Sequence, residues 1–130
     1  MAPLRVAVLG LGQRGLQHLR TLWQLQSEGA VRIVALPDAR PESLEAEKLR
    51  SVVPGYRPDD IGLFTSFEEL MRTTRLSALY LCIPPGFHAG EAVEAARCGM
   101  HVFVEKPMSL YLDEALSMEM AIATAGVCLL

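Results

Sequence analysis

Apolar residues fall along this chain in short runs, and between the runs they recur every three or four positions. Leu4 to Leu9 (LRVAVL) is rich in β-formers and ends at a glycine, which reads as a strand. From Arg14 to about Ser27, Leu16, Leu19, Leu22, Trp23 and Leu25 mark one helical face, and Gly29 stops it. Val31 to Leu36 is a second buried strand, ended by Pro37. Pro41 opens a short helix running to about Ser51, with proline at a tolerated first-turn position. Pro54, Gly55 and Pro58 make Val52 to Gly62 a loop, and a brief strand follows near Leu63-Phe64. Ser66-Phe67-Glu68-Glu69 has the form of a capping box and predicts another helix. Ala78 to Ile83 is a third long apolar strand, stopped by Pro84-Pro85-Gly86. A helix over about Ala89 to Arg97 ends at Gly99, and His101 to Val104 is again a strand. The last helix covers roughly Leu112 to Ala125, with Val127 to Leu130 as a candidate final strand.

Strands that are apolar on both faces and separated by helices indicate a parallel sheet covered on both sides. The expectation is an α/β fold, a doubly wound parallel sheet in three α/β/α layers. With 130 residues and no internal repeat, the chain reads as one domain over residues 1–130.

Composition narrows the function classes. An apolar share of 51% against 21% charged argues for a packed core and against disorder. A net charge of −3 gives no basic stripe for a nucleic-acid partner. No apolar run approaches the roughly 20 residues that span a bilayer. Glycines interrupt Val6 to Leu11 and Gln13-Arg14 follows, which is a strand rather than a secretion signal. A soluble, cytoplasmic protein is expected. Cys82, Cys98 and Cys128, with His18, His88 and His101 scattered among them, show no ligand spacing, so no metal is expected. Cys82 and Cys128 lie in apolar runs, where cysteine acts as a small hydrophobe.

Where the first strand meets the first helix stands Gly10-Leu11-Gly12-Gln13-Arg14-Gly15, the pattern G-x-G-x-x-G. Gly10 permits a tight turn, Gly12 lets a pyrophosphate approach the backbone, and Gly15 lets helix pack closely on strand. The phosphates would sit on free amides at the positive helix end, those of Gln13 and Arg14 first. Alone the pattern is weak. Strand before, helix after and a second strand next supply the context it needs. Asp38 follows that second strand, roughly 20 residues on, where it would accept hydrogen bonds from the adenosine ribose hydroxyls. Its charge would repel a 2′-phosphate and favour NAD over NADP. Arg40 weakens that inference, because an arginine there would pair with the phosphate. The alternative for Asp38 is a turn residue between Pro37 and Pro41.

The second half is more specific. Cys82-Ile83-Pro84-Pro85-Gly86-Phe87-His88, then Gly99-Met100-His101-Val102-Phe103-Val104, then Glu105-Lys106-Pro107 together resemble one family. The chain resembles, over Arg5 to Leu130, the N-terminal Rossmann domain of the Gfo/Idh/MocA oxidoreductases. His18, three residues after Gly15, matches a histidine frequent there. The resemblance implies NAD as cofactor, with NADP as an alternative, and a sugar, cyclitol or other polyol oxidised at a secondary alcohol. It makes Lys106 the catalytic residue, reaching the reacting carbon and the nicotinamide ribose. A lysine there would hold a substrate hydroxyl and stabilise negative charge developing on oxygen. The alternative is a lysine that merely pairs with Glu105. Pro84 and Pro85 would shape the turn at the carboxyl end of the third long strand and offer the cofactor a flat apolar surface, with Ile83 beside them and His88 as a further cofactor contact. Glu105 would orient the lysine or meet the nicotinamide side, and Pro107 would fix the turn, often through a cis bond in this family.

Some positions depart from the family pattern. Ile83 stands where threonine is frequent, removing a hydroxyl contact, and Ser77 where aspartate is common. Tyr111 replaces a small hydroxyl residue that would cap the last helix, a cost of about 1 kcal/mol if uncompensated. The family also implies a C-terminal substrate domain, bearing further catalytic groups and the contacts of a homo-oligomer, which this chain is expected to lack. The reading is therefore the nucleotide-binding domain of a longer dehydrogenase, inactive by itself. The alternatives are a non-catalytic NAD(P)-binding regulatory module and an NAD-dependent glycosidase relative.

Overall fold

The computed structural model describes the whole chain, Met1 to Leu130. Five parallel strands form one sheet: β1 (Leu4–Leu9), β2 (Val31–Pro37), β3 (Gly62–Phe64), β4 (Ala78–Leu81) and β5 (His101–Val104). They lie in the order β3-β2-β1-β4-β5. Five helices join or follow them: α1 (Gln13–Ser27), α2 (Ala46–Val52), α3 (Phe67–Thr73), α4 (Glu91–Arg97) and α5 (Leu112–Ala125).

Alternation along β1 explains the two cores. Val6 and Val8 face one side and cluster with Leu19 and Leu22 of α1 and Leu49 of α2. Ala7 and Leu9 face the other side and cluster with Leu70 of α3, Ala92 and Ala95 of α4, and Met118 of α5. Every strand must then be apolar on both faces, which is why no polar alternation is visible in the sequence. The architecture is a doubly wound Rossmann-like sheet. The chain winds outward from β1 to β3, returns through α3 to β4 beside β1, and winds outward the other way to β5. Winding therefore reverses between β1 and β4, and a crevice opens at their carboxyl ends.

Helix ends follow local chemistry. Gly29 has φ of +79°, and the Gly29 and Ala30 amides donate to the Gln26 and Leu25 carbonyls, a Schellman stop. Ser66 Oγ accepts from the Glu69 amide at 3.3 Å, the forward bond of the capping box.

Four expected boundaries are corrected. The strand expected over Ala78 to Ile83 ends at Leu81. Pro41 to Ser51 is not one helix. A 3-10 turn (Pro41–Leu44) gives way to extended backbone at Glu45 before α2 begins. Leu44 and Leu49 both pack on the same core, and on one continuous helix they would point about 140° apart. The break re-aims the chain so that both are buried. The helix expected from Ala89 starts at Glu91, because Gly90 is left-handed (φ +86°) and the Glu91 carboxylate accepts from the Ala89 amide. Val127 to Leu130 forms a single parallel bridge, Leu129 to Val102, rather than a strand.

Candidate functional site

The crevice at the sheet reversal is a cleft of about 770 Å³, walled by the β1–α1 turn, the ends of β2 and β3, and the turns after β4 and β5. The three glycines of the β1–α1 turn have different surroundings. Gly10 is left-handed (φ +93°), and a Cβ there would lie 2.8 Å from Ile83 N. A Cβ on Gly15 would lie 1.7 Å from the Gly10 carbonyl oxygen, so only hydrogen fits where α1 crosses the turn. Around Gly12 there is nothing within 4 Å of the same position, and that open space belongs to the cleft. The first bond of α1 runs from Leu16 N–H to the Gly12 carbonyl, leaving the preceding first-turn amides for a ligand. Gln13 and Arg14 line the cleft there, and no acidic side chain in that turn opposes an anion.

Asp38 is 4% exposed at the end of β2. Its Oδ2 accepts from the Leu11 amide at 2.7 Å, and its Oδ1 from the Arg40 amide at 2.8 Å. The Arg40 guanidinium completes the set at 3.3 Å to each oxygen. Burial pushes the Asp38 pKa up, but the bonds from Arg40 and Leu11 and the Arg40 charge outweigh it and hold the carboxyl below its ordinary value. The same pair raises Arg40 above its own.

On the facing wall, β4 (ending at Leu81) leads into Cys82 and Ile83, and Pro84 leads into a 3-10 turn (Pro85–Phe87). Burial, then the Glu105 charge, pushes the Cys82 thiol up to about 12, which makes it a wall and not a nucleophile. Glu105 follows β5 and is held from α1: Arg14 Nε lies 2.8 Å from Oε1 and His18 Nε2 lies 3.1 Å from Oε2. The His18 bond, and the bond and charge of Arg14, keep the Glu105 carboxyl below its usual range against the opposing effect of burial. Behind this pair, the His18 ring meets Phe103 edge-on at 4.7 Å, and Phe103 stacks on Tyr80 at 4.9 Å.

Glu105 thus pairs with Arg14 and His18, and Lys106 forms no ion pair. Lys106 is exposed on the cleft wall, and its bond to Pro107 is cis. Of the other residues singled out in the sequence, Gly10, Gly12, Gln13, Arg14, Asp38, Arg40, Ile83, Pro84, Pro85 and Glu105 share that cleft. Gly15 lies behind the turn, and Pro107 stands outside the lining. His88 does not reach the cleft: its side chain is 2% exposed and its Nδ1 lies 3.0 Å from Glu114 Oε1.

The cleft also takes in residues to which the sequence alone gives no role there. Thr65 and Phe67 enter it because β3 ends beside β2, a matter of strand order. Phe87, 76% exposed, stands at its rim, and the buried Glu91 lies in its wall. The one local mark of Glu91 in the sequence is the helix start expected near Ala89.

Unblocked first-turn amides, space over Gly12 and a buried carboxylate at the end of β2 fit a dinucleotide. Comparison with known proteins agrees. Residues 4–130 match a model described as an oxidoreductase family with an NAD-binding Rossmann fold. A 1-carboxy-3-chloro-3,4-dihydroxycyclo hexa-1,5-diene dehydrogenase of Comamonas testosteroni is 30% identical, over 95% of this chain and 28% of its own length. A glycosyl hydrolase family 109 protein of Shewanella pealeana is 29% identical, over 88% of this chain and 25% of its own. The WlbA dehydrogenase of Bordetella pertussis, solved with NADH and UDP-GlcNAcA, superposes with a TM-score of 0.79 at 28% identity, over 98% of this chain and 36% of that one. The chain thus spans about a quarter to a third of the length of these relatives. No helix is long and apolar enough to cross a membrane.

Proposed function

Since the chain belongs to the Gfo/Idh/MocA family of NAD-binding oxidoreductases, we propose that it is the cofactor-holding domain of a longer dehydrogenase acting on a polyol-like secondary alcohol. The observation that carries this reading is the position of Lys106, exposed and unpaired on the cleft wall that faces the glycine turn. A lysine needed only for structure would be paired with Glu105, and that carboxylate is already taken by α1.

When bound, NAD supplies the hydride acceptor. Gly12 and the first-turn amides of Gln13 and Arg14 would hold its pyrophosphate, and Asp38 its adenosine ribose once the long Arg40 bonds give way. The Asp38 charge favours NAD over NADP. Ile83, Pro84 and Pro85 would exclude water along the opposite wall. Lys106 would donate a hydrogen bond to the substrate oxygen and stabilise negative charge developing there.

The test has two stages. Calorimetric titration of this chain should show NAD binding more tightly than NADP, and a folded sample that binds neither would end the reading. In the longer protein, NAD reduction by polyols or nucleotide sugars should fall by about 100-fold or more in a Lys106→Met variant, with NAD affinity retained.

The likeness to a glycosyl hydrolase family 109 protein favours a second reading, glycoside cleavage in which NAD is reduced and reoxidised in place. Sugar release dependent on NAD, without net accumulation of reduced cofactor, would identify it.

A further inference from the structure

The His88 side chain is only 2% exposed, yet it is not part of the cleft lining. Its Nδ1 lies 3.0 Å from Glu114 Oε1, in the first turn of α5. A carboxylate offers only acceptors, which places the imidazole proton on Nδ1. The other oxygen of Glu114 accepts from Ser109 Oγ at 2.6 Å, the shorter of two contacts open to that hydroxyl proton (the Tyr111 carbonyl lies at 2.9 Å), and Ser109 Oγ accepts in turn from the Tyr111 amide at 3.0 Å. These contacts link two segments far apart in sequence. His88 ends the turn that presents Pro84, Pro85 and Phe87 to the cleft, and Ser109 lies three residues beyond Lys106. Within itself the first turn has only the Phe87 amide on the Pro84 carbonyl at 2.9 Å and the His88 amide on the Pro85 carbonyl at 3.3 Å. Two prolines deprive it of further donors.

We infer that His88 is a positioning residue, which through Glu114 and Ser109 locks the Pro84–Phe87 turn to the turn after Lys106 and so sets one wall of the cleft from behind. The effect on cofactor affinity rests on reading the cleft as the NAD site. The lock itself does not.

Two measurements on the chain test it: hydrogen exchange of the Phe87 amide without ligand, and calorimetric NAD affinity. His88→Ala should speed Phe87 exchange and weaken NAD binding by about tenfold each, the worth of one charge-assisted hydrogen bond. His88→Asn, whose Nδ2 replaces the Nδ1 donor, should restore both. A merely structural histidine would lower the melting temperature in both variants and leave exchange and affinity at wild-type values below the transition, and that result overturns the inference. If the wild-type chain binds no NAD, the cleft reading falls while Phe87 exchange alone still decides the lock. Should His88→Ala fail to fold, Ser109→Ala cuts the link at its other end and is judged by the same two readouts.

Discussion

Asp38 Oδ2 accepts a 2.7 Å hydrogen bond from the Leu11 amide, so the carboxylate that ends β2 also braces the turn that ends β1. On the proposed reading, one side chain serves both the fold and the ligand. Leu11 is fully buried, and Asp38→Ala would strip its amide of an acceptor, at a cost of about 1–3 kcal/mol. The melting temperature should fall accordingly. NAD affinity should fall further than NADP affinity, because the charge that repels a 2′-phosphate goes with the carboxylate. Parallel titrations with the two cofactors check this, and an unchanged ratio of affinities would remove Asp38 as the discriminating group.

The same carboxylate makes stability depend on pH. Asp38 titrates below its ordinary 3.8 in the fold, and Glu105 below its ordinary 4.5. Each then stabilises the fold above its ordinary value, and the contribution is lost as pH falls through the lowered one. Thermal melts should therefore lose stability on acidification below about pH 4. Asp38→Asn, which carries no such charge, should lie below wild type at neutral pH and converge on it in acid. Parallel curves with a constant gap would contradict the assignment.

Two glycines three residues apart should respond in opposite ways. Gly15→Ala places a Cβ 1.7 Å from the Gly10 carbonyl oxygen, where backbone must move, and should cost about 3 kcal/mol or more. Gly12 has φ of −73° and open space, so Gly12→Ala should stay within about 0.5 kcal/mol of wild type. The methyl group would instead stand in the cleft, and NAD affinity should drop. Melting curves and titrations on the pair separate packing from binding.

What could be read in advance was whatever is written locally. The runs at Leu4–Leu9 and Ala78–Ile83 (the second reaching two residues past the end of β4), the stop at Gly29 and the cap at Ser66 each depend on a few neighbouring residues, and the fold class followed from them. The 3-10 break at Glu45 depends on Leu44 and Leu49 sharing a core, which no local pattern shows. The cleft divides the same way. Glycine spacing marks the turn, whereas Thr65 and Phe67 join it only through the order of strands. His88 follows two prolines of the cleft wall, but the residue that fixes its direction, Glu114, lies 26 positions further on. The glycine pattern marks the Arg14 amide, whereas the Arg14 side chain is committed to Glu105, 91 positions away. Tyr111 as a poor helix cap was visible, and its compensation was not: Ser109 takes the Tyr111 amide and Asp113 Oδ1 the Glu114 amide.

The three cysteines allow a direct check on how closed the cleft floor is. Cys98 and Cys128 are exposed, while Cys82 is partly buried beside Gly15 and Glu105 carries negative charge nearby. With its pKa pushed up to about 12, Cys82 would stay almost wholly protonated, and so unreactive, at pH 8. A thiol reagent should therefore modify two cysteines quickly in the native chain and the third only on unfolding, with peptide mapping placing the slow site at Cys82. Rapid native labelling of Cys82 would mean that the floor between β1 and β4 opens to solvent. In that case the close packing of Gly10 and Gly15, on which the glycine turn depends, would not persist in solution.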